Sequence, residues 1–450
     1  MVVQKFGGTS VADADAILRL VDIVGRTHAR DRRGPAVVVS AMSGATDMLL
    51  GLAEKAAAGQ TSEALAAVAQ LRARHDDAAR VLAPNDDALR AILGEECDRL
   101  AAVVQALSVI RDVSPRTQDV VAAIGELLSS RIVAAALNHA GVAADWVDAR
   151  LAIVTNDEHT RAVPRMPETM SAMRATAGAS LERGRLPVVG GFVGATPDGH
   201  TTTLGRGGSD YSGALVGAGI EASEIQIWTD VDGMLTADPR IVENPLLVPR
   251  LSFAEAAELA YFGAKVLHPS TILPAVERDI PVRILNSRRP DGLGTSITAH
   301  EAADARPVTA LAGKKGLTVI DVTSSRMLMA YGFLRQVFEV FERFRTAVDV
   351  VTTSEVSVSV TVDDTRQLQG IRESLSSLGD VRVEPGMALL CAVGDRLRGE
   401  PEIGARVVAI LEEVPLRMIS QAASRRNITV ILRQDDLPRA MRRLHEELFG

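Results

Sequence analysis

Short, largely apolar runs alternate with longer amphipathic stretches over roughly the first 300 residues of the chain. The apolar runs predict β-strands at residues 2–6, 36–40, 186–193, 225–231 and 281–286. A strand that is apolar on both sides must be covered on both faces, which is typical of parallel sheets. Because helical patterns separate these runs, the sequence predicts an α/β fold with a mostly parallel sheet and helices on both faces.

The segment after the first strand shows the three- and four-residue apolar spacing of a helix. Apolar side chains recur from Val11 to Val24, so we expect a helix that begins at Val11 with Thr9 or Ser10 as its N-cap. A longer alanine-rich pattern over residues 49–137 predicts a layer of helices beside the sheet.

The alternation of apolar runs and helices ends near residue 298, and a different pattern of strands and helices then occurs twice. The intervening stretch is punctuated by proline and glycine and is interpreted as a linker over 299–315. Two β-α-β-β-α patterns follow and predict a pair of ferredoxin-like modules. We therefore expect a catalytic domain at 1–298 and modules at 316–386 and 387–450, with approximate boundaries and the two modules free to interleave. The first predicted module has strands at 317–322 and 356–362 and helices at 333–344 and 366–378; the second has strands at 387–393, 418–422 and 428–432 and helices at 403–411 and 437–448.

Composition narrows the class of protein. Acidic residues outnumber basic ones, 57 to 49, and the formal net charge of −8 argues against nucleic acid or an anionic membrane as a partner. Cys97 and Cys391 form neither a CxxC pair nor a zinc spacing, so we expect no metal site and a reducing, cytoplasmic location. The first residues lack a signal-peptide pattern, and no apolar run approaches the ~20 residues of a membrane span.

Glycine-rich turns follow two of the predicted strands. At residues 5–8, a lysine and two glycines join the first strand to the first helix, where backbone amides and the helix N-terminus favour an anion. Residues 201–210 place three glycines around Arg206 and put Asp210 at the start of a helix. Ordering such a loop costs chain entropy, so a binding role is favoured over a plain connection. Arg206 suits bidentate binding of a carboxylate.

Other polar residues stand in apolar surroundings or at a strand end. Thr229 and Asp230 close a strand, at the end where open parallel sheets bind ligands. Lys265 is a second candidate phosphate cation. Glu126 lies in an apolar helix and requires a cation, either a ligand ammonium or a nearby arginine. With no nucleophilic triad and no GxxxxGK[ST] motif, the residues by themselves indicate a small-molecule kinase with regulatory modules.

Four motifs, in this order, resemble the aspartate kinase family: KFGGTSV at 5–11, GRGGSD at 205–210, WTDVDG at 228–233 and FGAKVLHP at 262–269. TTSEVSVSV at 352–360 resembles the first of that family's ACT domains. The resemblance covers the whole chain and is closest to the monofunctional, lysine-sensitive type. It implies the amino-acid kinase fold and ATP-dependent phosphorylation of the β-carboxylate of L-aspartate to 4-phospho-L-aspartate. That reaction is the first step towards lysine, threonine and methionine and, in some organisms, ectoine.

The resemblance also implies roles for individual residues. It assigns catalysis to Lys5, Asp210 and Lys265, and substrate binding to Thr46, Glu126, Arg206, Gly207, Gly208 and Ser209. It assigns ATP, arriving with Mg²⁺, to Lys5, Gly7, Gly8, Ser40, Thr229, Asp230, Leu235, Arg240 and Lys265. It assigns an amino-acid effector, lysine or threonine, to Met327, Phe333, Leu334, Asp349, Ser354 and Glu355. The expected assembly is a homodimer or a dimer of dimers.

Two features depart from the family pattern. Leu235 stands where the family has a tyrosine beside adenine, so nucleotide packing is expected to differ. Met329 and Ala330 stand where the lysine-sensitive type has a histidine and a serine, which predicts weak inhibition by lysine.

Two other functions remain open on the sequence. A kinase of the same fold for another acid, such as glutamate or N-acetylglutamate, is disfavoured by the paired ACT domains. A catalytically inactive amino-acid sensor is disfavoured by the intact set Lys5, Arg206, Asp210 and Lys265, because a sensor does not need paired phosphate cations.

Overall fold

A computed structural model describes residues 1–31, 33–263, 269–299, 306–327, 331–397, 400–421 and 424–450. The chain divides into two compact units, Met1–Met234 with Leu267–His300, and Leu235–Val266 with Glu301–Gly450. The segment Leu235–Val266 thus belongs to the second unit, although the sequence predicts that it lies within a catalytic domain of 1–298. The reason is packing, because Ala237 and Val242 are buried in a hydrophobic core formed otherwise by the last part of the chain.

The strands agree with the predicted apolar runs and add several short ones. Leu186–Gly190 and Val193–Ala195 replace the single strand expected at 186–193. The strands are β1 Val2–Phe6, β2 Ala36–Val39, β3 Ala144–Val147, β4 Leu186–Gly190, β5 Val193–Ala195, β6 Thr201–Thr203, β7 Glu224–Thr229, β8 Arg250–Ser252, β9 Val282–Asn286, β10 Thr295–Thr298, β11 Ala310–Thr323, β12 Val351–Thr353, β13 Ser357–Val362, β14 Asp380–Val393, β15 Leu416–Gln421 and β16 Asn427–Arg433.

Helices fill the alanine-rich region and flank the strands elsewhere. They are α1 Ala14–Arg30, α2 Ala45–Ala57, α3 Thr61–Leu82, α4 Asp87–Ile110, α5 Pro115–His139, α6 Ala149–Ala152, α7 Met166–Met173, α8 Ala179–Glu182, α9 Gly208–Gly219, α10 Phe253–Tyr261, α11 Leu273–Val276, α12 Phe333–Arg343, α13 Leu368–Ser376, α14 Pro401–Ile410 and α15 Leu437–Phe449. Single turns of 3₁₀-helix occupy Gly8–Val11, Pro269–Ile272 and Ser325–Met327, and a π-helical turn at Arg174–Gly178 joins α7 to α8.

The sheet of the first unit runs in the order β3-β4-β2-β1-β7-β9-β10. All its pairings are parallel except that of β9 with β10. Strand β2 is buried along its whole length, as a strand covered on both faces must be. The predicted α/β class is confirmed, and the order brings the carboxyl ends of β2, β1 and β7 side by side.

Helix α5 is the core helix of the first unit. Among the described helices it has the length and apolarity to cross a membrane, but 83% of its most apolar window is buried inside the fold. Val121, Leu128 and Ile132 are fully buried in the helical layer. The apolarity of α5 therefore reflects packing on both sides.

The first helix begins later than predicted. Residues Gly8–Val11 form a 3₁₀ turn, and α1 starts at Ala14, where the Asp13 carboxylate accepts a hydrogen bond from the Ala16 amide at 2.8 Å. An N-cap aspartate satisfies an amide that has no partner within the helix, so Asp13 fixes the start. The expectation of a helix from Val11, capped by Thr9 or Ser10, is wrong.

The second unit contains one antiparallel sheet in the order β12-β13-β11-β14-β16-β15. Its two long strands, β11 and β14, pair along nearly their whole length, so both predicted modules share a continuous sheet. Residues 310–315 pair with 388–393 beside β16, whereas residues 319–323 pair with 380–384 and with β13. The prediction of a linker over 299–315 is therefore wrong at 310–315, which supply the fourth strand of the C-terminal module.

Candidate active site

A cavity of about 690 Å³ opens in the first unit, at the carboxyl ends of β1, β2 and β7. Parallel sheets bind ligands at this end because loops and helix N-termini converge there. Most of the residues predicted from the sequence line this one cavity. They are Lys5, Gly7, Gly8, Ser40, Thr46, Glu126, Arg206, Gly207, Gly208, Ser209, Asp210, Thr229 and Asp230.

Lys5 and Asp210 form an ion pair on the cavity wall. Lys5 Nζ lies 2.6 Å from Asp210 Oδ1, and the two side chains are 9% and 16% exposed. Lys5 belongs to β1 and Asp210 to the first turn of α9, so the pair joins the sheet to that helix. A buried lysine held by one carboxylate is a fixed positive charge, suited to an anion that enters the cavity.

The glycine turn after β1 lines the cavity and is held against the neighbouring strand ends. The Gly7 amide donates to the Trp228 carbonyl at 2.9 Å, which ties the turn to the end of β7. The Ser40 amide donates to the Phe6 carbonyl at 3.1 Å and places the end of β2 beside it. A Cβ on Gly8 would lie 3.2 Å from the Ala41 carbonyl oxygen, so the close approach of the two turns favours glycine.

Glu126 is a buried carboxylate that faces the cavity from the middle of α5. It is 3% exposed, and within the described part of the chain its Oε2 atom has no hydrogen-bond partner. Burial raises the pKa of Glu126 to about 8, although the Ala41 amide and the charge of Lys5 act in the opposite direction. A buried acceptor without a donor is costly, so this site favours a ligand cation.

The turn before α9 carries Arg206 to the mouth of the cavity. Gly205 and Gly207 both adopt the left-handed conformation, with φ of 73° and 74°, which glycine reaches without steric cost. A Cβ on Gly208 would lie 2.7 Å from the Phe192 ring. Arg206 is exposed, and its guanidinium has no ion-pair partner among the described residues. The arginine is therefore free to bind an anionic ligand.

Three predicted nucleotide residues are not among those that line the cavity. Leu235 and Arg240 belong to the second unit, where Arg240 pairs with Asp238 and lines a separate cavity of about 410 Å³. Lys265 lies outside the described residues. Their assignment to ATP stays a prediction.

Sequence reasoning missed part of the cavity wall. Residues 41–47 follow β2 and include Gly44, a left-handed N-cap of α2 that marks the turn. Gln118 and Ala122 precede Glu126 by eight and four residues, so helical periodicity places all three on one face of α5. Thr9, Thr203 and Gly205 lie in the glycine-rich motif at 5–11 and the loop at 201–210, but the sequence gives them no individual role. No local signal indicates the remaining residues. The missed residues are Thr9, Ala41, Met42, Ser43, Gly44, Asp47, Leu50, Gln118, Ala122, Thr160, Phe192, Thr203 and Gly205.

The predicted effector residues lie in the second unit. Asp349 is already paired, because Lys314 Nζ lies 3.0 Å from its Oδ2 and the Tyr261 hydroxyl donates to its Oδ1 at 3.0 Å. Lys314 also lies 2.8 Å from the Asp363 carboxylate. Of the other predicted residues, Met327 and Phe333 pack in the core of the first module, Leu334 and Glu355 are exposed, and the Ser354 hydroxyl lies 2.7 Å from that of Ser357.

Comparison with known proteins agrees with this geometry. The model of the amino acid kinase family matches residues 1–286, and an ACT-domain model matches residues 390–448. Lysine-sensitive aspartokinase 3 of Escherichia coli is 38% identical over 459 residues, covering 100% of this chain and 99% of that protein.

Solved structures of E. coli aspartokinase III align over the full length of both chains at 36% identity. The TM-score is 0.86 for the complex with aspartate and ADP and 0.82 for the complex with lysine and aspartate. The agreement covers both the catalytic and the regulatory parts. By its sequence and its fold, the chain belongs to the aspartokinases of the amino acid kinase family.

Proposed function

We propose that this chain transfers the γ-phosphoryl group of ATP to the β-carboxylate of L-aspartate. The observation that carries the proposal is that one cavity contains both the fixed cation Lys5 and the buried side chain of Glu126, whose Oε2 atom has no partner among the described residues. The cation of Lys5 suits a phosphate group, and the carboxylate of Glu126 suits an amino group. The E. coli relative crystallised with aspartate and ADP supports the same pair of ligands.

Opposite charges on the cavity wall account for the orientation of aspartate. Glu126 binds its ammonium group and Arg206 its α-carboxylate, with Thr46 and Ser209 beside them. The β-carboxylate is then directed towards Lys5 and the glycine turn. A kinase for glutamate would need room for one more methylene group between these anchors and Lys5.

Phosphoryl transfer needs alignment and charge neutralisation more than covalent catalysis. A β-carboxylate oxygen attacks the γ-phosphorus, the bond from that phosphorus to the β,γ-bridging oxygen breaks, and ADP leaves with the electron pair. The carboxylate is already ionised near pH 7, so no base is required. Lys5 neutralises the equatorial oxygens as charge develops, and Asp210 holds Lys5 in place. Lys265 is proposed as the second cation.

Magnesium is proposed to arrive on the nucleotide. Among the described residues no group of three acidic, histidine or cysteine side chains is suited to hold a metal ion. Bound with ATP, the ion would take most of its ligands from phosphate oxygens and would lower the charge of the transferred group. Ser40, Thr229 and Asp230 lie at the strand ends where the nucleotide is proposed to bind.

Assembly and control are proposed to follow from the second unit. The ACT modules are proposed to bind an amino-acid effector and to join two chains in a homodimer or dimer of dimers, in the cytoplasm. The E. coli structure with lysine supports lysine as the effector class. Sedimentation of the purified chain tests the dimer, because a monomer would exclude it.

A coupled assay of ADP release tests the activity. We expect turnover with ATP and L-aspartate, and at least tenfold lower kcat/KM with L-glutamate. Hydroxamate formation from the acyl phosphate identifies the product. Turnover limited to glutamate would assign another substrate, and no turnover with either would favour an amino-acid sensor.

A further inference from the structure

A second buried carboxylate lies on α5, two helical turns before Glu126. Asp119 is fully buried and does not line the cavity. Its Oδ1 accepts hydrogen bonds from the Thr160 amide at 3.0 Å and from the Thr203 hydroxyl at 2.6 Å, and its Oδ2 accepts one from His159 Nδ1 at 2.7 Å. Seven residues along a helix return to nearly the same face, so Asp119 and Glu126 point to the same side of α5.

The partners of Asp119 form one wall of the cavity. Thr160 and Thr203 both line it, and Thr160 has a φ of 71°, a left-handed conformation that is unusual for a β-branched residue. Strained backbone of this kind persists only where its surroundings hold it. The Asp119 carboxylate provides that restraint through the Thr160 amide.

This wall leads directly to the arginine turn. Gly205 and Arg206 follow Thr203 by two and three residues and also line the cavity. A Cβ on Gly205 would lie 3.1 Å from the Thr160 carbonyl oxygen, so the two segments are in close contact. The Ala162 amide donates to the Thr203 carbonyl at 2.8 Å and adds a second link.

We propose that Asp119 is a positioning residue for the aspartate site. It fixes the Thr160 and Thr203 segments against α5, and thereby sets the position of Arg206 relative to Glu126, the two groups proposed to bind the α-carboxylate and the ammonium. The inference rests on the proposed function. Asp119 itself touches neither substrate.

Steady-state kinetics of D119N test the proposal. We expect KM for L-aspartate to rise about tenfold or more, because the buried network loses its negative charge and one of its two acceptor oxygens. KM for ATP should stay within twofold, since the nucleotide contacts lie on other loops. T203V removes the hydrogen bond that the Thr203 hydroxyl donates to Asp119 and should show a selective change in the same direction, so the test survives if D119N does not fold.

A double-mutant cycle with R206A distinguishes a role of Asp119 in positioning Arg206 from a general effect of Asp119 on stability. If Asp119 acts through Arg206, the D119N/R206A enzyme should resemble R206A within about threefold in KM for aspartate. D145N, which removes a carboxylate bound by two arginines away from the cavity, is the matched control and should leave both KM values unchanged.

The outcomes are distinct. Equal changes in both KM values, no change in D119N and T203V, or multiplicative effects in the double variant would overturn the positioning role. Failure of the proposed function appears instead in the unmodified chain, as an absence of turnover with ATP and aspartate.

Discussion

Replacing Glu126 with glutamine tests whether the charge of this side chain binds the ammonium group of aspartate. The change keeps the size of the side chain and removes its charge. Burial raises the pKa of Glu126 to about 8, so the free enzyme carries mainly the neutral acid at pH 7. Binding an ammonium group requires ionised Glu126. Aspartate therefore binds the small fraction of enzyme in which Glu126 is ionised and shifts the equilibrium towards that form.

The magnitude follows from the ionised fraction. With a pKa of about 8, roughly 1% of the free enzyme is ionised at pH 6 and roughly half at pH 8. The apparent affinity for aspartate should then rise about 50-fold over this interval. At pH 8 the glutamine variant loses a charged hydrogen bond of about 1.5–3 kcal/mol, which corresponds to a KM about 10- to 150-fold higher. At pH 6 the gap should narrow to a few fold.

The assay is kcat/KM for aspartate from pH 6 to 8.5 at saturating ATP. The wild type should show a rising limb that is half-maximal near pH 8, and E126Q should lack it. E96Q removes a carboxylate from the same helical layer, outside the cavity, and should keep the limb. KM for ATP should be the same in all three proteins.

Unfolding of the ligand-free protein gives an independent measurement. Because the folded pKa of Glu126 lies above the unfolded value of 4.5, the folded state binds more protons between these values, and stability falls as pH rises from about 4.5 to 8. The shift corresponds to at most about 5 kcal/mol, and E126Q should lose this pH dependence. A glutamine variant with wild-type KM and an unchanged pH profile would refute the assignment of Glu126 to the ammonium.

The remaining predictions concern the other charged groups. K5M and D210N should each lower kcat about 10³-fold with little change in Tm, because they remove a transition-state charge or its support; near-normal kcat in either would reject its catalytic role. R206K should raise KM for aspartate well above any change in KM for ATP, since lysine lacks the bidentate fork; equal changes would place Arg206 beside the nucleotide. L-lysine should inhibit the wild type only weakly, and K314M, which frees the carboxylate of Asp349, should lower the concentration for half-inhibition; unchanged inhibition would show that lysine does not compete with Lys314.

The sequence predicts those parts of the fold whose signal is local. Strand β1 occupies the predicted residues: four of its five residues are buried, and it pairs with β2 on one side and β7 on the other. The start of α1 was misplaced because Val11 fits the helical spacing, while the N-cap carboxylate of Asp13 decides where the helix begins. Residues 310–315 resemble a linker because glycine and two lysines obscure the strand pattern, and the strand pairs with residues 388–393, which lie far along the chain.

The residues of the candidate site also fall into two groups, those that a local sequence signal marks and those that it does not. Lys5, Arg206 and Asp210 could be identified from the sequence because glycine turns mark their loops. Asp119 and Thr160 could not, because they are joined by hydrogen bonds between residues about 40 positions apart along the chain. Such pairs leave no periodicity or turn signal, and only the folded backbone brings them together.

Because β11 and β14 are shared by both modules, they determine when each module can fold during synthesis. Residues 310–315 leave the ribosome about 80 residues before their partners at 388–393. Until then that edge is open, and Lys314 and Lys315 disfavour pairing with another chain. The contiguous piece 387–450 would lack its fourth strand, and a fragment ending at 378 would leave β11 unpaired on one side. The two modules are thus expected to complete folding together, and an excised regulatory part should be stable only if it begins before residue 310.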